Sequence, residues 1–350
     1  MTRADPVTRA DPVTRANEAG RAAAPVIDRP ITLTFQGDWG QANMHRICGW
    51  LAQEIGDRCP PGSRFGIWSG RGGADAFAAV LDGVVDIAIA TPTAAGAMLI
   101  AGSGPLTRPG ADRLRALGTL PQRDRLVVCA DASLGLSRIG DLAAAGAAPR
   151  IATSPDDGVN LIGLAAHQLL TASGADPAGL AAAGAAFSYH ERPFTAIAEF
   201  ARGEANVLIH EAIMMPAWQR VADARPVSYL PVSPEAAATF AAWDWPTAVV
   251  PAGYLPGLDR DLTTLEFSDF LVACRDDLPD DVARLAAWCM VATRRALEVQ
   301  YQHFPPDHSP VTHPLDPTAI ATTVVPLHPA AAQAYRQLGD FATSDALIWV

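Results

Sequence analysis

Apolar residues in the first hundred positions alternate between short continuous runs and a helical spacing. Ile31–Phe35 is rich in β-forming residues, and Val84–Ala90 is an almost continuous apolar run, typical of a buried strand in a parallel sheet. Between these runs, five apolar residues share one helix face: Met44, Ile47, Cys48, Leu51 and Ile55. This repeated order of strand, loop and helix predicts an α/β fold with a parallel sheet.

A second series of strands and helices follows the first. We predict its helices over Asn160–Ala172 and Pro193–Arg202, and a returning strand over about residues 265–274. Its strands are predicted at Arg125–Cys129, Arg150–Thr153, Phe187–Tyr189, Val207–Ile209 and Val227–Leu230. A chain that leaves one lobe, builds another and returns makes two crossings, which suits a hinge.

These patterns divide the chain into three parts. Residues 1–28 begin with a polar, Arg-rich and Pro-containing six-residue repeat, for which we expect disorder. We predict that residues 29–128 together with 265–350 form the first lobe, and that residues 129–264 form the second.

Composition excludes several classes of function. The net charge of −11 argues against a nucleic-acid partner, which needs a basic face. No run of 18 or more apolar residues is present, so no membrane span is expected.

The five cysteines are odd in number and lack C-x-x-C spacing, so we expect free thiols, no metal and no cofactor. Residues 1–30 contain no apolar stretch typical of a secretory signal, so we expect a cytoplasmic monomer, or an extracytoplasmic one if the true start differs.

Three segments together resemble the TAXI-type solute-binding subunits of TRAP transporters. Two of them are Val250–Gly257 (VPAGYLPG) and Pro326–Pro329 (PLHP) followed by Tyr335 and Gly339. The third comprises Leu114–Leu120, Leu126–Asp131 and Ile139–Leu142. The resemblance covers roughly residues 31–339, but the loops Gln36–Asn43 and Ser154–Gly158 depart from the family pattern.

The resemblance implies a two-lobed, periplasmic-binding-protein-like α/β fold of type II with a hinge and an interlobe cleft. It also implies that the lobes close around a small organic anion, a carboxylate, and that TRAP membrane subunits are the partner. Because the departing loops lie where the family binds its ligand, the fold is implied more directly than the ligand.

Ligands of open α/β sheets bind beyond the carboxyl ends of the strands. Arg71 lies between glycines in the loop Gly70–Gly73, where its guanidinium can bind a carboxylate with two hydrogen bonds. Trp68 and Trp39 also follow strand ends, where either belongs to a pocket wall or to the core. The candidate ligand-binding residues are Asp38, Trp39, Asn43, Ser69, Arg71, Thr91, Asp156, His190, His210 and Glu211.

Two His-Glu pairs support an alternative hypothesis. His190-Glu191 and His210-Glu211 each end a predicted strand, so strands that are parallel neighbours or near neighbours would bring both pairs to one edge of the cleft. Imidazoles and carboxylates together can bind a divalent metal or act as acid and base. Acid-base chemistry suits a cytoplasmic enzyme on the same fold, such as an aromatic-acid decarboxylase-like protein. Side chains alternate along a strand, however, which places His and Glu on opposite faces. The recurring His303, His308 and His313 lie in a Pro-rich segment that we interpret as a loop.

Overall fold

The first part of the chain follows the predicted order of strands and helices. A computed structural model describes residues 24–38, 42–145, 148–212 and 215–342. The expected disorder of the N-terminal repeat concerns mainly residues 1–23, which lie outside the described residues. The first elements are β1 (Thr32–Asp38), α1 (Asn43–Gly56), β2 (Arg64–Gly70), α2 (Ala74–Leu81), β3 (Ile87–Ala90), α3 (Thr93–Ala101) and β4 (Leu114–Leu120).

The middle of the chain builds a second α/β unit. Asn160 caps its first helix, since the side-chain oxygen accepts hydrogen bonds from the amides of Ile162 and Gly163 at 3.0 and 3.1 Å. The strands are β5 (Arg125–Asp131), β6 (Arg150–Thr153), β7 (Ala186–Tyr189), β8 (Val207–Glu211), β9 (Val227–Leu230), β10 (Thr247–Val250) and β11 (Leu262–Glu266). The helices are α4 (Leu161–Ala172), α5 (Pro177–Ala182), α6 (Pro193–Arg202), α7 (Met215–Ala224) and α8 (Pro234–Ala241).

The chain then returns to the first unit. Its remaining elements are β12 (Phe270–Arg275), α9 (Asp280–Ala292), α10 (Arg294–Glu298), α11 (Pro317–Ala321) and α12 (Pro329–Ala342). The single strand expected over about 265–274 is thus two strands, β11 and β12. They are separated at Asp269, whose φ of 69° is outside the strand region. None of the described helices has the length and apolarity needed to cross a membrane.

Two sheets confirm the expected two-lobed α/β architecture. The first has five strands in the order β2-β1-β3-β12-β4, and the second has seven, in the order β10-β11-β5-β8-β6-β7 with β9 against β5. Because β4 and β12 lie in the first sheet and β5 and β11 in the second, the chain crosses at residues 121–124 and 267–269. The expected boundaries were at 128/129 and 264/265. The difference arises because β5 pairs with β8 along its length.

The predicted helix face and central strand both pack into the first lobe. All five predicted residues of the α1 face are buried. All four residues of β3 are buried as well, because it lies between β1 and β12. The predicted strand begins earlier than the observed one, since Val84 is 66% exposed. Ile27 is buried and its amide donates to the Arg58 carbonyl at 3.0 Å, so chain packing starts before residue 29.

The core of the first lobe gives a stability prediction. Phe35 is fully buried at the centre of β1, so Phe35→Ala should lower the free energy of unfolding by about 3–5 kcal/mol. Urea unfolding followed by circular dichroism measures this change. The same substitution at Phe194, which is 53% exposed, is the matched control and should cost less than about 1 kcal/mol. Equal losses in the two variants would contradict the assignment of Phe35 to the core.

Candidate functional site

A cavity of about 360 Å³ lies between the two lobes. Its walls come from the carboxyl end of β1, the loop after β2, the segment between β4 and β5, the end of β8 and the start of α6. The chain after α10 contributes a further wall through Tyr301, His303 and Phe304. Both lobes and a crossing segment therefore meet at one cavity that is partly open to solvent, within the size range typical of small-molecule sites.

Asp38 forms part of an acidic floor in this cavity. It ends β1, is 2% exposed, and its carboxylate accepts a hydrogen bond from the His45 amide at 3.0 Å. Gly37 allows α1 to begin this close, because a Cβ there would lie 2.7 Å from the Cα of His45. Burial raises the pKa of Asp38, while backbone hydrogen bonds to the carboxylate oppose that shift.

Asp124 and Glu211 complete the acidic floor. Asp124 lies in the crossing segment, and its Oδ1 accepts hydrogen bonds from the amides of Arg125 and Ala212 at 2.7 and 2.9 Å. Glu211 ends β8, and burial raises its pKa well above the usual range, aided by the charge of Asp124 and a hydrogen bond to it. Two carboxyl groups bond directly only if one is protonated, so Asp124 and Glu211 share a proton.

Arg71 also lines the cavity, but its positive charge is already paired with two carboxylates of the protein. The guanidinium of this first-lobe residue pairs with Asp157 at 2.5 Å and with Glu191 at 3.1 Å, both in the second lobe. Close by, the Ala74 amide donates to the Val159 carbonyl at 2.8 Å. A Cβ on Gly73 would lie 2.3 Å from that same oxygen, so only glycine permits this approach. The lobes are therefore in direct contact at this edge of the cleft.

Two further arginines line the cavity without a carboxylate partner among the described residues. Arg46 lies in the first turn of α1, with its guanidinium 6.0 Å from the ring centre of Tyr301. Arg192 is the exposed residue just before α6, in the second lobe. Each presents a positive charge toward the cavity from a different lobe.

Aromatic side chains form most of the apolar wall. Tyr301 donates a hydrogen bond to Oδ1 of Asn43 at 3.2 Å, and burial raises the pKa of this phenol to about 12. Phe194 is 53% exposed, so this ring lies toward solvent. The aromatic residues lining the cavity are Phe194, Phe267, Phe270, Tyr301 and Phe304.

A comparison with family models identifies the chain's relatives. Residues 64–339 match the model of the NMT1-like family. The chain belongs to the NMT1-like family. The match does not distinguish the TAXI subtype, which stays a prediction. No curated protein matches this NMT1-like chain.

Solved structures give only distant likenesses to this NMT1-like protein. One, described as the structure of a periplasmic transporter, is 11% identical with a TM-score of 0.47, covering 89% of this chain and 94% of that one. A TctC solute-binding protein from Polaromonas is 11% identical with a TM-score of 0.43, covering 89% and 98%. The alkanesulfonate-binding protein SsuA from Xanthomonas axonopodis pv. citri, bound to MOPS, is 15% identical with a TM-score of 0.40, covering 91% and 94%.

The structure brings half of the predicted ligand-binding residues to the cavity. The five residues that line it are Asp38, Asn43, Arg71, Thr91 and Glu211. Trp39 lies outside the described residues. The four that do not line it are Ser69, Asp156, His190 and His210, and Trp68 is 60% exposed elsewhere.

The two His-Glu pairs are not brought together as acid and base. Strand alternation turns His210 away from Glu211, and burial lowers the pKa of His210 to about 3, which leaves it neutral. The strands β7 and β8 are parallel near neighbours, as expected, with β6 between them. Of the four residues, only Glu211 lines the cavity. The described residues contain no group of three or more His, Cys, Asp or Glu that could hold a metal ion.

His190 forms a polar cluster outside the cavity lining. Its Nε2 lies 2.8 Å from the Ser188 hydroxyl and 2.5 Å from the Glu199 carboxylate. A Ser-His-acid relay uses the two ring nitrogens separately, whereas here both partners contact the same nitrogen. The cluster therefore lacks the geometry of a nucleophilic triad.

Sequence reasoning missed several residues of the site. Asp124 could have been predicted from the sequence, because it comes directly before the strand predicted at the hinge. Segments that cross between two lobes border the cleft between them. Arg192 immediately follows the predicted His190-Glu191 pair. Tyr301 has no comparable signal, since it comes from an irregular segment far along the chain from any strand of its lobe.

The shared proton predicts a dependence of stability on pH. A carboxyl whose pKa is raised on folding stabilises the protein below its unfolded pKa and loses that contribution as pH rises toward the folded value. The free energy of unfolding should therefore fall from about pH 4.5 upward, with a limiting slope of roughly 1.4 kcal/mol per pH unit. Glu211→Gln, which mimics the protonated acid, should flatten this slope in urea unfolding. Asp259→Asn, in an exposed loop, should leave the slope unchanged, and an unaltered slope in Glu211→Gln would refute the shared proton.

Proposed function

We propose that this NMT1-like protein is a solute-binding protein whose two lobes close on a small organic molecule carrying a carboxylate. The observation that carries the proposal is the cavity of about 360 Å³ at the place where both lobes meet. The chain crosses between the lobes through two short segments, so a hinge motion about them would open the cavity. A receptor that must release its solute needs such a motion.

Arg192 and Arg46 support a carboxylate as part of the ligand. Both line the cavity and neither has a carboxylate partner among the described residues, whereas Arg71 is bonded to Asp157 and Glu191. A guanidinium can bind a carboxylate through two hydrogen bonds, which gives both affinity and orientation. The role that we assigned to Arg71 from the sequence therefore suits Arg192 and Arg46 better.

TRAP-type membrane subunits are the proposed partner, on the strength of the sequence resemblance. Closure would then present one joined surface of both lobes to the membrane protein. This role places the protein outside the cytoplasm. A cytoplasmic location would instead suit a binding protein that delivers its ligand to a soluble partner.

The carboxylate proposal predicts a loss of affinity on removing one guanidinium. A thermal-shift screen of small carboxylates supplies a ligand, and calorimetry on Arg192→Ala should then show binding weaker by about 1.5–3 kcal/mol, the usual range for a charge-assisted hydrogen bond. Arg260→Ala, in an exposed loop outside the cavity, is the matched control. Full affinity in Arg192→Ala would remove this residue from the site.

The closure proposal predicts a more open protein when the contact between lobes is removed. Each partly exposed ion pair of Arg71 is worth up to about 1 kcal/mol, so losing both in Arg71→Ala should raise the ratio of open to closed protein by up to roughly thirtyfold. Small-angle scattering would report this as a larger radius of gyration without ligand. Arg202→Ala removes a pair made within one lobe and should leave the radius unchanged. An unchanged radius in Arg71→Ala would contradict the role of the pair in closure.

A further inference from the structure

Residues of opposite charge line the cavity. Asp38 ends β1 at its floor, and Asp124 and Glu211 lie beside it on the crossing segment and β8. Arg46 and Arg192 face the same space from α1 and from the start of α6. A ligand that is only an anion would match the arginines and would not balance the negative charge of the acidic floor.

The net charges are consistent with two complementary groups on the ligand. The proton shared by Asp124 and Glu211 removes one of the negative charges that the three floor carboxyls could carry. Arg71 is offset by Asp157 and Glu191, so Arg46 and Arg192 supply the positive charge that faces the cavity. Because buried charge is costly unless it is paired, an occupant that offers a group of each sign suits this lining best.

We propose that the ligand is zwitterionic: a protonated nitrogen contacts Asp38, Asp124 and Glu211, and the carboxylate lies toward Arg46 and Arg192. The inference rests on the proposed function, because it specifies the solute of the same cavity. The aromatic wall suits such a nitrogen, since ring faces attract cations, and it suits a flat apolar body between the two charged ends.

Binding of the nitrogen should displace a proton from the floor. An ammonium group brought against Asp124 and Glu211 favours their ionised forms, so the shared proton passes to solvent as the ligand enters. Several other groups border the floor and contribute to its charge. They are the ion-paired Arg125 and Glu266 of β5 and β11, the neutral His210 on β8, and the cavity-lining Arg46, Arg71, Arg192, Tyr301 and His303.

Three probes of matched shape test the inference on the full chain. These are 4-(aminomethyl)benzoate, which carries both charges, 4-methylbenzoate, which lacks the nitrogen, and 4-methylbenzylamine, which lacks the carboxylate. We expect the zwitterion to bind at least about tenfold more tightly than either single-charge probe, the scale of one charge-assisted hydrogen bond. Calorimetry in phosphate and in Tris should show release of protons with the two amine probes and none with 4-methylbenzoate.

A variant separates recognition of nitrogen from general effects on the pocket. Glu211→Gln keeps the size of the side chain and removes the titrating group, so amine binding should weaken about tenfold and proton release should fall. Its affinity for 4-methylbenzoate should fall less than its affinity for the two amine probes, and circular dichroism shows whether the variant is folded. Asp259→Asn serves as the control outside the cavity.

The outcomes distinguish this inference from the function on which it rests. Amine probes that bind no more tightly than 4-methylbenzoate, including amines that do not bind, would overturn the zwitterion. In that case 4-methylbenzoate binding that depends on Arg192 would leave the proposed function intact. Tight binding of 4-methylbenzylamine, unimproved by the added carboxylate, would overturn the anionic half of both proposals. Absence of binding by all three probes would count against the cavity as a site for this class of molecule.

Discussion

The contact between the Gly-rich loop after β2 and the second lobe determines the site. Through it, Arg71 reaches Asp157 and Glu191, and the backbone of Ala74 reaches that of Val159. The contact holds residues of both lobes at one edge of the cavity. Glycine at position 73 makes the contact possible, because any Cβ there would overlap the Val159 carbonyl.

Much of the fold follows from periodicity alone. The α1 face was predictable because five apolar residues recur at helical spacing and all five pack against the sheet. The two crossings were predictable in number, but their positions were not, because the pairing of β5 with β8 depends on contacts between strands about 80 residues apart. The break at Asp269 was missed because an apolar run does not reveal a single residue with positive φ.

The site was harder to predict than the fold, for a related physical reason. Strand ends are visible in the sequence, so Asp38, Thr91 and Glu211 were identified. Which charges pair with each other depends on contacts between the lobes, so the sequence did not reveal that Arg71 is paired across the cleft. His210 illustrates the same limit, since its position at a strand end is correct and its side chain nevertheless faces the other side of the sheet.

The buried carboxyl groups that line the cavity affect which solutes it can bind. Asp38 and Asp124 are held by backbone amides, which stabilise their ionised forms within the protein. In the proposed function, a solute that cannot replace the lost hydration of these groups would bind weakly, because buried polar groups are costly when they are left without partners. Selectivity thus comes from the cost of the wrong occupant together with contacts to the right one.

The ion pairs of Arg71 lie at the edge of the cavity and need no solute in order to form. In the proposed closure, part of the free energy would therefore be present in the empty protein, and a solute would enter only while these pairs are broken. Such an arrangement would slow association and lengthen the residence time of the bound molecule by the same factor. Because the pairs are partly exposed, dissolved salt weakens them, so exchange of the solute would quicken as ionic strength rises.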